Sequence, residues 1–188
     1  MRPCYVSFMR IFFLFVAAAL LLGSYAPSGT AQGLSNRRAP SFSLPDPTLK
    51  QFDLLDYRGK WLLLDFMQTD CPHCKELSKK LEPIKQKYAG KVEILSVVIS
   101  PPANQQTVAQ YIAETKITSP IVFDQGQVAI SYFKATPQNS SINTPHLFAI
   151  NPQGMIVQDW GQQAVELPGF MADLERVISP PATPAKKK

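Results

Sequence analysis

Apolar residues follow two rhythms along this chain. From Trp61 to Met67 they run almost unbroken, with Asp65 as the one charge, and from Val92 to Ser100 the run is again apolar and β-branched. Such runs read as strands buried on both faces. Between them Leu77, Leu81, Ile84 and Tyr88 recur at helical spacing with lysines elsewhere, which predicts one amphipathic helix over Pro72 to Ala89. Pro83 should kink it, because an interior proline removes a backbone hydrogen bond. Upstream, Ala39 to Asp46 reads as an extended segment and Lys50 to Leu54 as a short strand. Downstream, Asn104 caps a helix carrying Val108, Tyr111 and Ile112 on one face, Ile121 to Phe123 is a short strand, and a helix from Gln127 to Lys134 follows. Beyond a polar loop from Thr136 to Asn143, the runs His146 to Ile150 and Met155 to Trp160 flank the turn Asn151-Pro152-Gln153-Gly154, a hairpin. Phe170, Leu174, Val177 and Ile178 mark a last helix. Alternation of strand and helix followed by a hairpin predicts an α/β domain, a central mixed sheet with helices on both faces.

The first 31 residues stand apart. Arg2 and Arg10 flank a short polar stretch, an apolar run from Ile11 to Leu22 follows, and small residues surround Gly29-Thr30-Ala31. This is the three-part layout of a secretory signal peptide. The run is shorter than the roughly 20 apolar residues of a spanning helix, so cleavage after Ala31 is expected, with an uncleaved anchor as the alternative. Residues 32–38 then form a polar linker, 39–179 one domain, and 180–188 a disordered tail ending in Lys186, Lys187 and Lys188. With 45% hydrophobic and 18% charged residues among 188, the chain has the side chains for a core, which excludes an intrinsically disordered protein. Losing Arg2 and Arg10 takes two from the formal charge of +5, and the lysines of residues 75–91 alternate with Glu76 and Glu82. No basic face for nucleic acid results. Export, to the bacterial periplasm or cell envelope, places thiols outside the reducing cytosolic pools.

Cys4 lies in the segment expected to be lost, which leaves Cys71 and Cys74. Cys71-Pro72-His73-Cys74 falls directly between a buried strand and a helix, and that setting makes a C-x-x-C informative. Positions i and i+3 share one side of a first helical turn, so the two sulfurs can close a disulfide with little backbone motion. Cys71, at the helix N-terminus, meets unpaired amide N–H groups and the positive end of the macrodipole, which favour a thiolate. It is the expected attacking sulfur, and Cys74 resolves the mixed disulfide. Pro72 takes the first helical position, where its missing N–H is harmless. His73 can carry positive charge and donate hydrogen bonds towards the thiolate, making the pair more oxidising. A static disulfide and half of a zinc site are the competing readings. Zinc takes four ligands, and the mature chain offers only these two cysteines with His73 and His146. No cofactor or resident metal is expected.

With the motif, its setting and Thr144-Pro145 before a strand, the sequence resembles the thioredoxin-like superfamily. More closely it is similar to the exported TlpA/ResA-type, AhpC/TSA-related branch, through Ala39-Pro40-Ser41-Phe42-Ser43-Leu44, Asp56-Tyr57-Arg58-Gly59-Lys60, Leu63-Leu64-Asp65-Phe66 and Thr144-Pro145-His146-Leu147-Phe148-Ala149-Ile150. The resemblance spans roughly Ala39 to Ile178. It implies a thioredoxin fold, a cis Pro145 against the cysteine pair, and Thr144 offering its backbone to substrate. It also implies that Asp65, six residues before Cys71, is a buried acid that moves the proton of the resolving cysteine. Protein substrates held by mixed disulfides, and a membrane electron donor or acceptor, are the implied partners. Two departures stand out: no lysine between Val92 and Ser100 matches the thioredoxin partner of that acid, and Met67-Gln68-Thr69-Asp70 replaces the tryptophan-rich approach to the cysteines. The dipeptide Pro72-His73 is that of DsbA-type oxidants, whereas TlpA/ResA-type proteins are commonly reductases, so the direction of electron flow stays open.

An exported thiol-disulfide oxidoreductase is therefore the leading reading. A copper-binding or copper-delivering module of the SCO kind, using Cys71, Cys74 and His146, is the alternative, since thiolates and imidazole suit copper. SCO proteins, however, have three residues between their cysteines where this chain has two, and His146 reads better as a polar residue lining the substrate groove. Peroxide reduction fits less well again, because Gln68 holds the place of the peroxiredoxin threonine.

Overall fold

The strand β4 (Trp61–Met67) has every residue after the first buried, because both of its edges and both of its faces are covered. On one edge it pairs in parallel with β5 (Val92–Val98), on the other antiparallel with β7 (His146–Ile150). These features come from a computed structural model that describes residues 33–99 and 104–179. The expected signal segment 1–31 and basic tail 180–188 lie outside the described residues.

Around this centre β6 (Ile121–Phe123) extends the parallel side, while β8 (Met155–Gly161) and β1 (Arg37–Arg38) extend the antiparallel side, giving the order β1-β8-β7-β4-β5-β6. A separate two-stranded ribbon pairs β2 (Ser43–Pro45), in the segment read as extended, with β3 (Gln51–Asp53), in the segment read as a short strand. The helices are α1 (Pro72–Lys87), α2 (Gln105–Thr115), α3 (Gln127–Phe133), α4 (Gln162–Glu166) and α5 (Phe170–Ile178). Among the described residues no helix is long and apolar enough to cross a membrane.

Alternation along β4 divides the core. Leu62, Leu64 and Phe66 join Phe42 and Leu44 of the ribbon segment and Ala129 and Tyr132 of α3. Leu63 joins Leu77, Leu81 and Ile84 of α1 and Phe170, Leu174 and Ile178 of α5. Met67 packs in a third cluster with Cys74, Val108 and Tyr111. Helices on both faces of a mixed sheet are what the alternating pattern predicts.

The differences have local causes. Arg37 and Arg38, read as linker, pair with Ile156 and Met155, and the Arg37 guanidinium donates to the Tyr132 carbonyl. Ile112 is 39% exposed while Val108 and Tyr111 are buried, because one residue beyond Tyr111 the helix has turned roughly 100° away from the core. Pro83 lies on the exposed side of α1 and does not end it, and Lys85 and Lys87 occupy the last turn, where cations suit the macrodipole. A 3₁₀ turn over Leu54–Tyr57, closed by reciprocal capping between Asp53 and Asp56, and the five-residue α4 have no apolar periodicity long enough to read. The β7–β8 turn needs Gly154, whose φ is +79° and whose missing Cβ would sit 3.2 Å from the Arg58 guanidinium carbon.

Phe66 is the hub of the ribbon-side core, its ring 5.3 Å from Tyr132, 5.3 Å from Phe133 and 5.7 Å from Phe148. Phe66→Ala should lower unfolding free energy by about 3–5 kcal/mol, read from the midpoint of urea unfolding; a loss under about 1 kcal/mol would contradict this packing.

Candidate active site

The chain leaves β4 at Met67 and enters α1 at Pro72, and the turn between them presents the cysteines. Cys71 is the N-cap: its backbone is extended (φ −82°, ψ 114°), and Pro72 occupies the first turn, where no N–H is missed. Its Sγ accepts the Cys74 backbone N–H at 3.1 Å, the place usually filled by a serine or aspartate oxygen. Both cysteines are free thiols, Cys71 half-buried and Cys74 buried. One cysteine is thus partly open to solvent while the other is covered behind it.

The pleat that sends Leu63 and Met67 to the α1 side sends Asp65 there too. Asp65 is fully buried opposite Ser96 of β5, and neither carboxylate oxygen has a hydrogen-bond partner. Burial pushes its carboxyl up to about 7, with the nearby Ser96 hydroxyl offsetting only part of that. Burial likewise raises the Cys74 thiol far above its ordinary value, with further contributions from the Cys71 sulfur and the Asp65 charge. Asp65, Cys74 and Cys71 therefore form one electrostatic unit. Tyr111 of α2 borders it: burial first and the Asp65 charge second raise its phenol, whose oxygen lies 2.8 Å from the Ser78 hydroxyl. No lysine stands near Asp65 along β5, as the sequence already indicated.

Thr144 and Pro145 lie at the same end of the sheet, since Phe66 pairs with His146. Their peptide bond is cis, Pro145 is buried, and the Thr144 hydroxyl donates to Gln68 Oε1 at 3.2 Å. That bond ties the loop to the approach to Cys71.

Two expectations change. His146 does not line a groove: it is 9% exposed, its ring is 4.8 Å from Phe133 and 4.6 Å from Phe148, and Nε2 lies 2.9 Å from Asp159 Oδ2. Burial would raise the Asp159 carboxyl, but the hydrogen bonds from His146 and Ser35 outweigh it and hold it below the ordinary range. With His146 committed there, and no three His, Cys, Asp or Glu side chains converging among the described residues, the copper reading is not favoured. His73, expected to donate towards Cys71, instead turns its Nδ1 to Glu166 Oε1 at 2.8 Å. Glu166 escaped the sequence reading, and Tyr111 reads there only as a core position, because each reaches the cysteine region from a separate segment, with no spacing to betray it.

Comparison with known proteins fits this geometry. The AhpC/TSA family model matches residues 35–159. The chain is 25% identical over 121 residues to the thioredoxin-like protein YneN of Bacillus subtilis, covering 64% of this chain and 67% of that one. It is 28% identical over 121 residues to the thiol-disulfide oxidoreductase ResA of the same species, covering 64% of this chain and 63% of that relative, so about a third of each relative lies outside the match. Among solved structures, the thioredoxin domain of a thiol-disulfide oxidoreductase from Bacteroides vulgatus superposes with a TM-score of 0.62 at 20% identity, covering 77% of this chain and 97% of that one. The fold is thioredoxin-like.

The Asp65 environment has a signature in stability. Its carboxyl titrates near 7 when folded and near about 3.9 when unfolded, so between those values the folded state holds a proton that the unfolded state has lost. Stability from this group is full below about pH 4 and falls as pH rises through about 7, by on the order of 4 kcal/mol in all. Asp65→Asn should flatten that slope and be the more stable protein at about pH 8 in urea unfolding; parallel pH profiles for the two proteins would refute the assignment.

Proposed function

We propose, from the premise that the chain belongs to the AhpC/TSA family, that it is a thiol-disulfide oxidoreductase whose Cys71 and Cys74 exchange disulfides with protein substrates outside the cytoplasm. The observation that carries this reading is the half-exposed Cys71 sulfur at the start of α1, backed by buried Cys74 and by the buried, unpartnered carboxyl of Asp65.

In the reductive direction the Cys71 thiolate attacks one sulfur of a substrate disulfide. A Cys71–substrate S–S bond forms, the substrate S–S bond breaks, and the departing thiolate takes a proton from water. Cys74 must then lose its proton, which its burial opposes, and Asp65, titrating near neutrality, is the group placed to accept it. The Cys74 thiolate attacks the Cys71 sulfur, closing the Cys71–Cys74 bond, breaking the Cys71–substrate bond and releasing the second substrate sulfur as a thiolate that takes a proton from water, while Asp65 returns its proton to solvent. Oxidation of a substrate dithiol runs the same steps backwards. Pro145 and the Thr144 backbone form the substrate rim, and Pro72 and His73 tune the pair. A membrane electron donor or acceptor resets it between turnovers.

Cys74→Ser should accumulate a mixed disulfide with a disulfide-bonded test protein such as insulin, seen as a mass increase on a non-reducing gel, and Cys71→Ser should form none. Trapping through Cys74 in the Cys71 variant instead would reverse the assigned roles.

Export is supported by the tripartite pattern of residues 1–31. Expressed as the full chain in a bacterium, the protein should be recovered in the envelope fraction with Gln32 as its first residue; retention of Met1 on a membrane-bound form would favour the anchored alternative.

A further inference from the structure

His73 and Glu166 meet across elements far apart in sequence. His73 is the second residue of α1, between the cysteines, and Glu166 is the last of α4. Glu166 Oε1 lies 2.8 Å from His73 Nδ1 and also accepts from Gln162 Nε2 at 3.0 Å. The backbone around Glu166 is fixed. Its neighbour Val165 is buried in one apolar cluster with Leu77 and Leu81 of α1, and the Val165 carbonyl accepts from Lys80 Nζ at 3.2 Å.

An ionised carboxylate only accepts hydrogen bonds, so the proton of this contact belongs to Nδ1. In a neutral ring Nε2 is then a bare acceptor, and the ring has no free N–H for a thiolate. In a protonated ring the imidazolium charge sits beside a carboxylate that cancels much of its field. Among the described hydrogen bonds, the one reaching the Cys71 sulfur comes from the Cys74 backbone. Resting on the oxidoreductase reading, we propose that Glu166 is a positioning residue that clamps and neutralises His73, holding the Cys71–Cys74 pair less oxidising than its Pro72-His73 dipeptide would make it. The physical link is that an oxidising dithiol pair owes its potential to a stabilised reduced form. Withdrawing His73 from the Cys71 thiolate removes part of that stabilisation and favours the disulfide, so electrons leave the pair more readily and the protein is biased towards reducing its substrates.

The test is equilibration with graded mixtures of glutathione and its disulfide. Reduction breaks the Cys71–Cys74 bond, two glutathione thiols give up two electrons and become one glutathione disulfide, and their two protons pass to the cysteines or, from an ionised Cys71, to solvent. Glu166→Ala should shift the equilibrium towards the dithiol by at least about threefold, which is about 14 mV for a two-electron couple. Glu166→Gln, which keeps the side-chain shape and removes the charge, should shift it the same way. In a His73→Ala background the Glu166→Ala change should move it less than about twofold. A shift of equal size in that background, a shift towards the disulfide, or no shift in either Glu166 variant would overturn the clamp while leaving the oxidoreductase reading intact. A wild-type pair that never exchanges with glutathione would overturn both.

Discussion

The pleat of β4 sets the terms for the rest of the molecule. A strand buried on both faces has nowhere to hide a charge, yet its fifth residue is Asp65. Alternation sends that carboxyl to the side where α1 packs, and the turn after Met67 brings Cys74 down onto the same side. Leaving the carboxylate without a hydrogen-bond partner is expensive, and the protein meets the expense by letting the group hold a proton near neutrality. On the proposed reading, this destabilising residue in the centre of the core is the acceptor for the proton of a thiol too buried to ionise easily.

The surroundings of Cys71 obey a related economy. The sulfur is the N-cap, so the amide that orients it is also the amide that completes the helix end. A serine there would keep a cap and lose the thiol, whereas an alanine would lose both. The proposed substrate rim is equally dependent on packing: the loop holding Thr144 and Pro145 is joined to the loop before Cys71 by the hydrogen bond to Gln68. Two segments more than seventy residues apart therefore present one surface.

Histidine illustrates how context overrides composition. This chain has two, and both suggested chemistry when read by position alone. His146 proves to be core, wedged among Phe133, Phe148 and Asp159, where a buried imidazole needs a partner and finds a carboxylate. His73 sits in the motif but faces Glu166, so the dipeptide that resembles an oxidant is embedded in surroundings that oppose it. The same four-residue motif can carry different potentials because the fields acting on it come from elsewhere in the fold.

By itself the sequence determined the elements with long periodicity or punctuation. The strands Ile121–Phe123 and His146–Ile150, the run Trp61–Met67 and the start of the helix at Pro72 follow from uninterrupted apolar runs and from a proline at the one helical position that tolerates it. It also determined that Cys71 and Cys74 lie one turn apart, a local fact of spacing, while the burial of Asp65 is implied by the resemblance to the thioredoxin-like superfamily. Tertiary structure alone decided that Arg37 and Arg38 complete the sheet, that α4 forms, that Tyr111, bonded to Ser78, borders the acid, and which way the two histidines turn. Each of these rests on a contact between separate segments, from 13 residues apart for His146 and Asp159 to more than a hundred for Arg37 and Ile156. Such contacts leave no period in a sequence, since a side chain's partner is set by the register of a sheet and the packing of a helix rather than by its neighbours along the chain.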